Sequence, residues 1–265
     1  MNSICSYGQS LADDVALWHE LGVDHVALIL PKLEETGWAE AQTMVMDAGV
    51  RVSTIFGPTY RPLDADPTLG WRAEDQAGTD ETLEFAATIG AGSVYICTGA
   101  ATTMSWDEAA DSFCEFLAPS VTLADSLGVP LLLEPTNPMR IDVSFVFWQR
   151  DAMDLARQAG TKVMLDFQSS WYERDLRGVV RDNIDLIHMV QLSDFVIGTN
   201  QTGDRAVPGD GDIPLEALVA MVLEAGFEGM FDLELMGPRI EAEGYASVIR
   251  RAVDRSSELL ERLGA

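Results

Sequence analysis

The chain alternates between two periodicities. Eight short runs rich in Val, Ile and Leu recur along it: ICSYGQ, HVALIL, VRVSTIFG, SVYICTGA, PLLLEPTN, KVMLDFQS, IHMVQLSD and MFDLELMG. Between them lie longer segments with apolar residues at helical spacing, such as SLADDVALWHELG, WAEAQTMVMDAG, DAMDLARQAG and IPLEALVAMVLEAG. Several of these stop at a glycine just before the next run, as at Gly22, Gly49, Gly90, Gly128, Gly160 and Gly226. Eight strands alternating with helices predict an α/β fold, a single-domain (β/α)8 TIM barrel over residues 1–265. The competing open, doubly wound sheet lacks its GxGxxG fingerprint after the first run. No linker or low-complexity stretch divides the chain.

In such a barrel the chemistry sits where the strands end. Glu134, Asp166, Gln191 and Glu234 occupy the same late position of the fifth to eighth runs. Alternation puts Leu132, Met164, Met189 and Asp232, two residues earlier, on the same inward face. Three carboxylates and an amide then converge at the barrel mouth. Three ionised acids in a low-dielectric space repel unless they are protonated or neutralised, and a divalent cation is the natural occupant. Oxygen-only ligation suits Mg2+ or Mn2+ ahead of Zn2+ or Co2+. Asp232 lies deeper and reads as a buried, hydrogen-bonded acid. His188 faces the helical layer, and His19 and His25 lie far from the mouth, so no histidine is a catalytic candidate.

Charge and cysteine content narrow the function classes. With 17 basic and 43 acidic residues the formal charge is −26, which repels nucleic acid and an anionic membrane surface. Cys5, Cys97 and Cys114 have no disulfide or zinc spacing and fit a reducing cytoplasm. The opening MNSICSYGQS has no export signal, and no run is long enough to span a membrane. A small-molecule substrate is the expected partner, and homo-oligomers are compatible with the sequence. The last amphipathic segment, EGYASVIRRAVDRSSELLERLGA, reads as closing the barrel or meeting another subunit.

The motifs LEPTNP, LDFQSSW, QLSD, RAVPGDGDIP and LELMGP together resemble the sugar phosphate isomerase/epimerase superfamily, the xylose-isomerase-like TIM barrels. That resemblance implies a divalent metal held by Glu134, Asp166, Gln191 and Glu234, with Glu134 and Glu234 flanking the substrate as an acid/base pair. It places Arg205 at a position that contacts substrate oxygen or supports a ligand. Family members carry His where Gln191 stands, and often His where Ser169 stands, which leaves substrate orientation to Ser169, Gln168 or Arg205. Phe56 and Trp171, directly after strands, are expected as substrate walls, whereas Phe145 and Trp148 are expected in barrel-to-helix packing. Lys32, after a run that ends apolar, is a further substrate-binding candidate.

The implied reaction is Glu-mediated proton abstraction beside a carbonyl through a metal-stabilised enediolate, making the chain an isomerase or epimerase of a sugar or related hydroxy-carbonyl compound. A lyase with the same first step, a dehydratase or a C-glycoside-cleaving enzyme, is the alternative. A non-catalytic partner subunit is the non-enzyme reading. The Gly-rich loop from Asp194 to Asp212 is expected either to cover the site or to be a surface loop.

Overall fold

The computed structural model describes residues 1–60, 73–101, 103–199 and 203–265. Seven strands, β1 (His25–Ile29), β2 (Arg51–Thr59), β3 (Val94–Cys97), β4 (Leu131–Leu133), β5 (Lys162–Asp166), β6 (Ile187–Leu192) and β7 (Met230–Leu233), pair in chain order, each parallel to the next. The helices are α1 (Leu11–Leu21), α2 (Leu30–Thr36), α3 (Trp38–Ala48), α4 (Ala73–Ile89), α5 (Trp106–Leu127), α6 (Gln149–Ala159), α7 (Phe167–Ser170), α8 (Leu176–Asp182), α9 (Leu215–Glu224), α10 (Pro238–Glu243) and α11 (Tyr245–Leu263). The parallel sheet closes as a TIM barrel, as the alternation predicts.

The first run departs from expectation. ICSYGQ is not a strand: Ser3–Ser6 is a turn of 3-10 helix. Closure falls to the two residues ahead of it. Asn2 bridges Ala27 in parallel and its N–H donates to Leu233 O at 3.2 Å, while Ala27 N–H donates to Met1 O at 2.8 Å. The cause is local, because the Asn2 side chain accepts from Ile4 N–H at 3.0 Å and folds the chain back on itself. Ser6 Oγ then donates to Ser3 O at 3.2 Å.

Strand alternation sorts the core into two shells. Outward residues such as Val26, Leu28, Ile55, Ile96, Val163, Leu165 and Val190 pack on the helices. Inward, Tyr95, Leu132, Met164 and Met189 fill the barrel as a layer of their own, with Phe56 against it. Each fully buried large side chain contributes about 1.5–3 kcal/mol. This inner layer is the floor on which the mouth residues stand.

Capping explains why the helices begin where they do. Ser10 Oγ accepts from Asp13 N–H while Asp13 accepts from Ser10 N–H, and Ser105 with Glu108 repeats the device at the start of α5. At the other end, Gly22 adopts φ 66°, a left-handed conformation costly for a residue with a Cβ.

Candidate active site

One step of the pleat beyond the inner layer brings polar groups to the mouth. Glu134 and Glu234 follow the last residues of β4 and β7, Asp166 ends β5, and Gln191 lies one residue before the end of β6. Asp166 sits level with Gln191 across the strand pair, and Gln191 is level with Asp232. All four expected positions are buried.

Arg205 joins two of them, Asp166 and Glu234. Its Nη1 donates to Asp166 Oδ1 at 3.1 Å and to Ser193 Oγ at 2.8 Å, and its Nη2 donates to Asp166 Oδ2 at 3.0 Å. The same Nη2 lies 2.8 Å from Glu234 Oε1. Ser169 Oγ donates to Asp166 Oδ2 at 2.9 Å, and Gln168 N–H to Asp166 Oδ1 at 3.0 Å. Asp166 is therefore saturated, whereas Glu234 keeps Oε2 without a donor.

Arg205 is itself held from both sides. Its N–H donates to Met236 O at 2.9 Å, and the next residue, Ala206, bridges Asp194. The Asp194 carboxylate accepts from the backbone N–H groups of Phe195, Gly209, Gly211 and Ile213 at 2.8–3.0 Å. The segment expected to be either a cover or a surface loop is thus pinned to the end of β6, with residues 200–202 outside the described residues. A Cβ on Gly211 would overlap the Asp194 carboxylate, which is why glycine is required there.

Glu134 and Glu234 share a cavity of about 280 Å3 with Arg205, Ser169, Gln168 and Phe56. Burial is the main cause that raises the proton affinity of both glutamates. Glu134 is pushed well above the ordinary carboxylate range, with Glu234 and Asp166 adding repulsion. Glu234 is pushed up to about 7, because Arg205 offsets only part of the cost of burial. The Cys97 thiol, 3.8 Å from Glu134 Oε2, is raised by burial and stays protonated. The two acids therefore titrate as an interacting pair, both above the ordinary carboxylate range.

Phe56 lines the cavity and stacks on Tyr95 with centroids 4.8 Å apart. Trp171 does not reach the main cavity; it walls a second one of about 180 Å3 beside it. Phe145 packs on Phe113, as expected of a barrel-to-helix residue, while Trp148 is partly exposed against Tyr172. Asp232 accepts from Asn2 Nδ2 at 2.8 Å, the buried role expected of it. Lys32 must be corrected as a substrate-binding residue. It lies on α2, where its Nζ donates to Ser6 O at 2.9 Å and Asp14 Oδ2 at 2.6 Å, behind the cavity wall that Pro31 forms.

Sequence reasoning missed Tyr95, Cys97, Asn137 and Arg140, which line the same cavity. Alternation along SVYIC contained the signal for the first two, since inward Leu132 pairs with Tyr95 across the sheet. A larger groove of about 530 Å3 beside α9 and α11 contains neither glutamate.

The chain belongs to the xylose isomerase-like TIM barrel family, whose model matches residues 15–257. The inosose isomerase of Halalkalibacterium halodurans is 28% identical over 88 residues, 33% of this chain, and the match spans only about a third (31%) of that relative's length. Among solved structures, protein SMc04130 of Sinorhizobium meliloti 1021 superposes with a TM-score of 0.84 at 23% identity, covering 98% of this chain and 97% of that one. An IolI protein with a bound zinc atom superposes with a TM-score of 0.82 at 17% identity, covering 100% of this chain and 98% of that one. At these identities the two structures establish the fold.

The donor set fits a divalent ion in its chemistry. Gln191 Oε1 and Glu234 Oε2 are buried acceptors with no donor, which is costly unless a cation or an incoming hydroxyl meets them. Carboxylates and an amide oxygen are hard donors of the kind Mg2+ and Mn2+ take. With the Arg205 guanidinium between Asp166 and Glu234, no three His, Cys, Asp or Glu side chains among the described residues form a ready cage. Gln191 and the guanidinium thus belong to any account of the ion's affinity.

Proposed function

We propose that the chain is an isomerase or epimerase of a sugar or related hydroxy-carbonyl compound, working by proton transfer between Glu134, Glu234 and a carbon beside the carbonyl. One observation carries this reading: two buried glutamates line the same cavity, both with proton affinities raised by burial, Glu234 to about 7. Such a transfer requires one carboxyl that holds its proton at neutral pH and one that can take a proton up. The ionised member of the pair accepts the carbon-bound proton, and the protonated member returns one. Which atom receives it decides between isomer and epimer. Arg205 holds Glu234 in place by an ion pair, and Ser169 and Gln168 offer polar contacts to substrate hydroxyls from the cavity wall.

Glu134, Gln191 and Glu234, together with Asp166 once the Arg205 guanidinium turns away from it, are the residues to hold a divalent ion, Mn2+ or Mg2+ by donor type. When bound, the ion supplies polarisation of the substrate's oxygens and neutralises charge that develops on them. Glu234→Gln keeps the volume and removes the base, so turnover falls by about 10²–10⁴-fold with the fold intact. Unchanged turnover in that variant would sink the assignment. Chelation should likewise abolish turnover and leave the circular dichroism spectrum as it was.

A further inference from the structure

The mouth of this barrel is more apolar than a site for free polyols needs. Large exposed hydrophobic side chains among the described residues concentrate on the loops at the strand ends, including Tyr7, Met139, Ile141, Tyr172 and Ile197. Met46 and Met230 are the exceptions on other parts of the surface. Within the main cavity, Ile4, Ile29, Pro31, Phe56 and Val143 line the side opposite the polar residues of β5.

The second cavity gives this pattern a shape. Its volume is about 180 Å3, and its walls are Met139, Trp171, Tyr172 and Phe195, with Asn137, Gln168 and Thr199 at its edges. Asn137 and Gln168 line both cavities, so the two adjoin across a shared wall. Trp171 and Tyr172 meet edge to face at 5.9 Å, and Tyr172 meets Trp148 in the same way at 6.0 Å. Each ring braces the next, so the wall is preformed. A dry apolar cavity of about 150 Å3 accepts a benzene ring, and aromatic walls favour an aromatic guest by edge-to-face contact.

From this geometry we infer that the aromatic cavity binds an aryl group carried by the substrate. The preferred substrates are hydroxy-carbonyl compounds bearing an aromatic substituent, with the reacting carbons between Glu134 and Glu234 and the ring beside Trp171 and Tyr172. This deepens the proton-transfer reading and rests on it for the placement of the reacting carbons. The occupant is a neutral aryl group because no charged side chain among the described residues lines this cavity to pair with an ion. The wall that the aromatic cavity shares with the acid/base cavity assigns it to the substrate rather than to a partner protein.

The test compares 2-hydroxyacetophenone with hydroxyacetone, a pair that differs only in phenyl against methyl. Binding to the full, metal-loaded chain is measured by calorimetry, which needs no turnover. The phenyl compound should bind at least about 10-fold tighter, and Trp171→Ala or Tyr172→Ala should reduce that ratio to about threefold or less. Met139→Glu, at a side chain 70% exposed and safe for folding, should reduce the ratio as well. A ratio near one in the parent chain, or a ratio indifferent to all three substitutions, would overturn the inference. So would light scattering that shows a dimer dissociated by Met139→Glu with the ratio unchanged, which would give this face to a second copy. The Glu234→Gln variant separates the two readings: it should lose proton exchange and keep the binding preference. Exchange absent from the parent chain with the preference intact would defeat the proton-transfer reading alone.

Discussion

Glu134 and Glu234 are costly residues to bury, and their cost is their use. In the chelator-treated chain, burial holds Glu234 at about 7 against its ordinary 4.5, so between those values the folded state keeps a proton that the unfolded chain has released. The stabilising contribution of Glu234 is therefore fully present below 4.5 and is lost as pH rises through about 7. Thermal melts of metal-free protein should show that decline, and Glu234→Gln should flatten it. Proton abstraction runs the other way, since the base must be ionised, and the acidic limb of the rate profile should rise toward neutrality. At this scale the sequence was legible wherever an acid closes an apolar run, as at Glu134, Asp166 and Glu234. Lys32 was not, because its run turns directly into α2 and carries the ammonium behind the wall to Asp14. Tyr95 and Cys97 looked like ordinary strand residues. Alternation puts both on the inward face, and the closed barrel carries them to the cavity.

Among the elements, the strands are legible by alternation and the first is not. ICSYGQ has strand-like composition, yet the Asn2 side chain caps Ile4 N–H and diverts the chain into a 3-10 turn, leaving Met1 and Asn2 to bridge β1 and reach β7. A single side-chain hydrogen bond outweighed propensity there. The segment after β6 is the second lesson, because its Gly-rich composition suggests freedom while Asp194 gathers four backbone N–H groups from it. Asp194→Ala strands those donors and should cost on the order of 3 kcal/mol in urea unfolding. It should also lower turnover, since the Ala206 bridge that positions Arg205 depends on the same turn. A variant with normal activity and parent stability would mean that the loop does not set the guanidinium.

At the scale of the whole molecule, the barrel and its family follow from a rhythm that spans the chain, and the match over residues 15–257 agrees with it. No helix of the described residues is long and apolar enough to cross a membrane. Substrate identity was not legible, because it depends on a cavity assembled from the segments after β4, β5 and β6, such as Met139, Trp171 and Phe195. The ion is a property of the assembled mouth too. Elemental analysis should find about one Mn or Mg per chain after loading, lost in Glu134→Ala. Gln191→His adds an imidazole donor and should shift preference toward Zn2+.

The central claim is that the glutamate pair moves a carbon-bound proton. It is tested most directly by incubating the metal-loaded chain in D₂O with a panel of ketoses and hydroxy ketones and following deuterium at the carbon beside the carbonyl by NMR. Deuterium is incorporated by the parent chain, and incorporation is lost in Glu134→Gln and Glu234→Gln, if the pair carries the transfer. Incorporation that continues at the parent rate in both variants, or is absent from the parent across the panel, would contradict it.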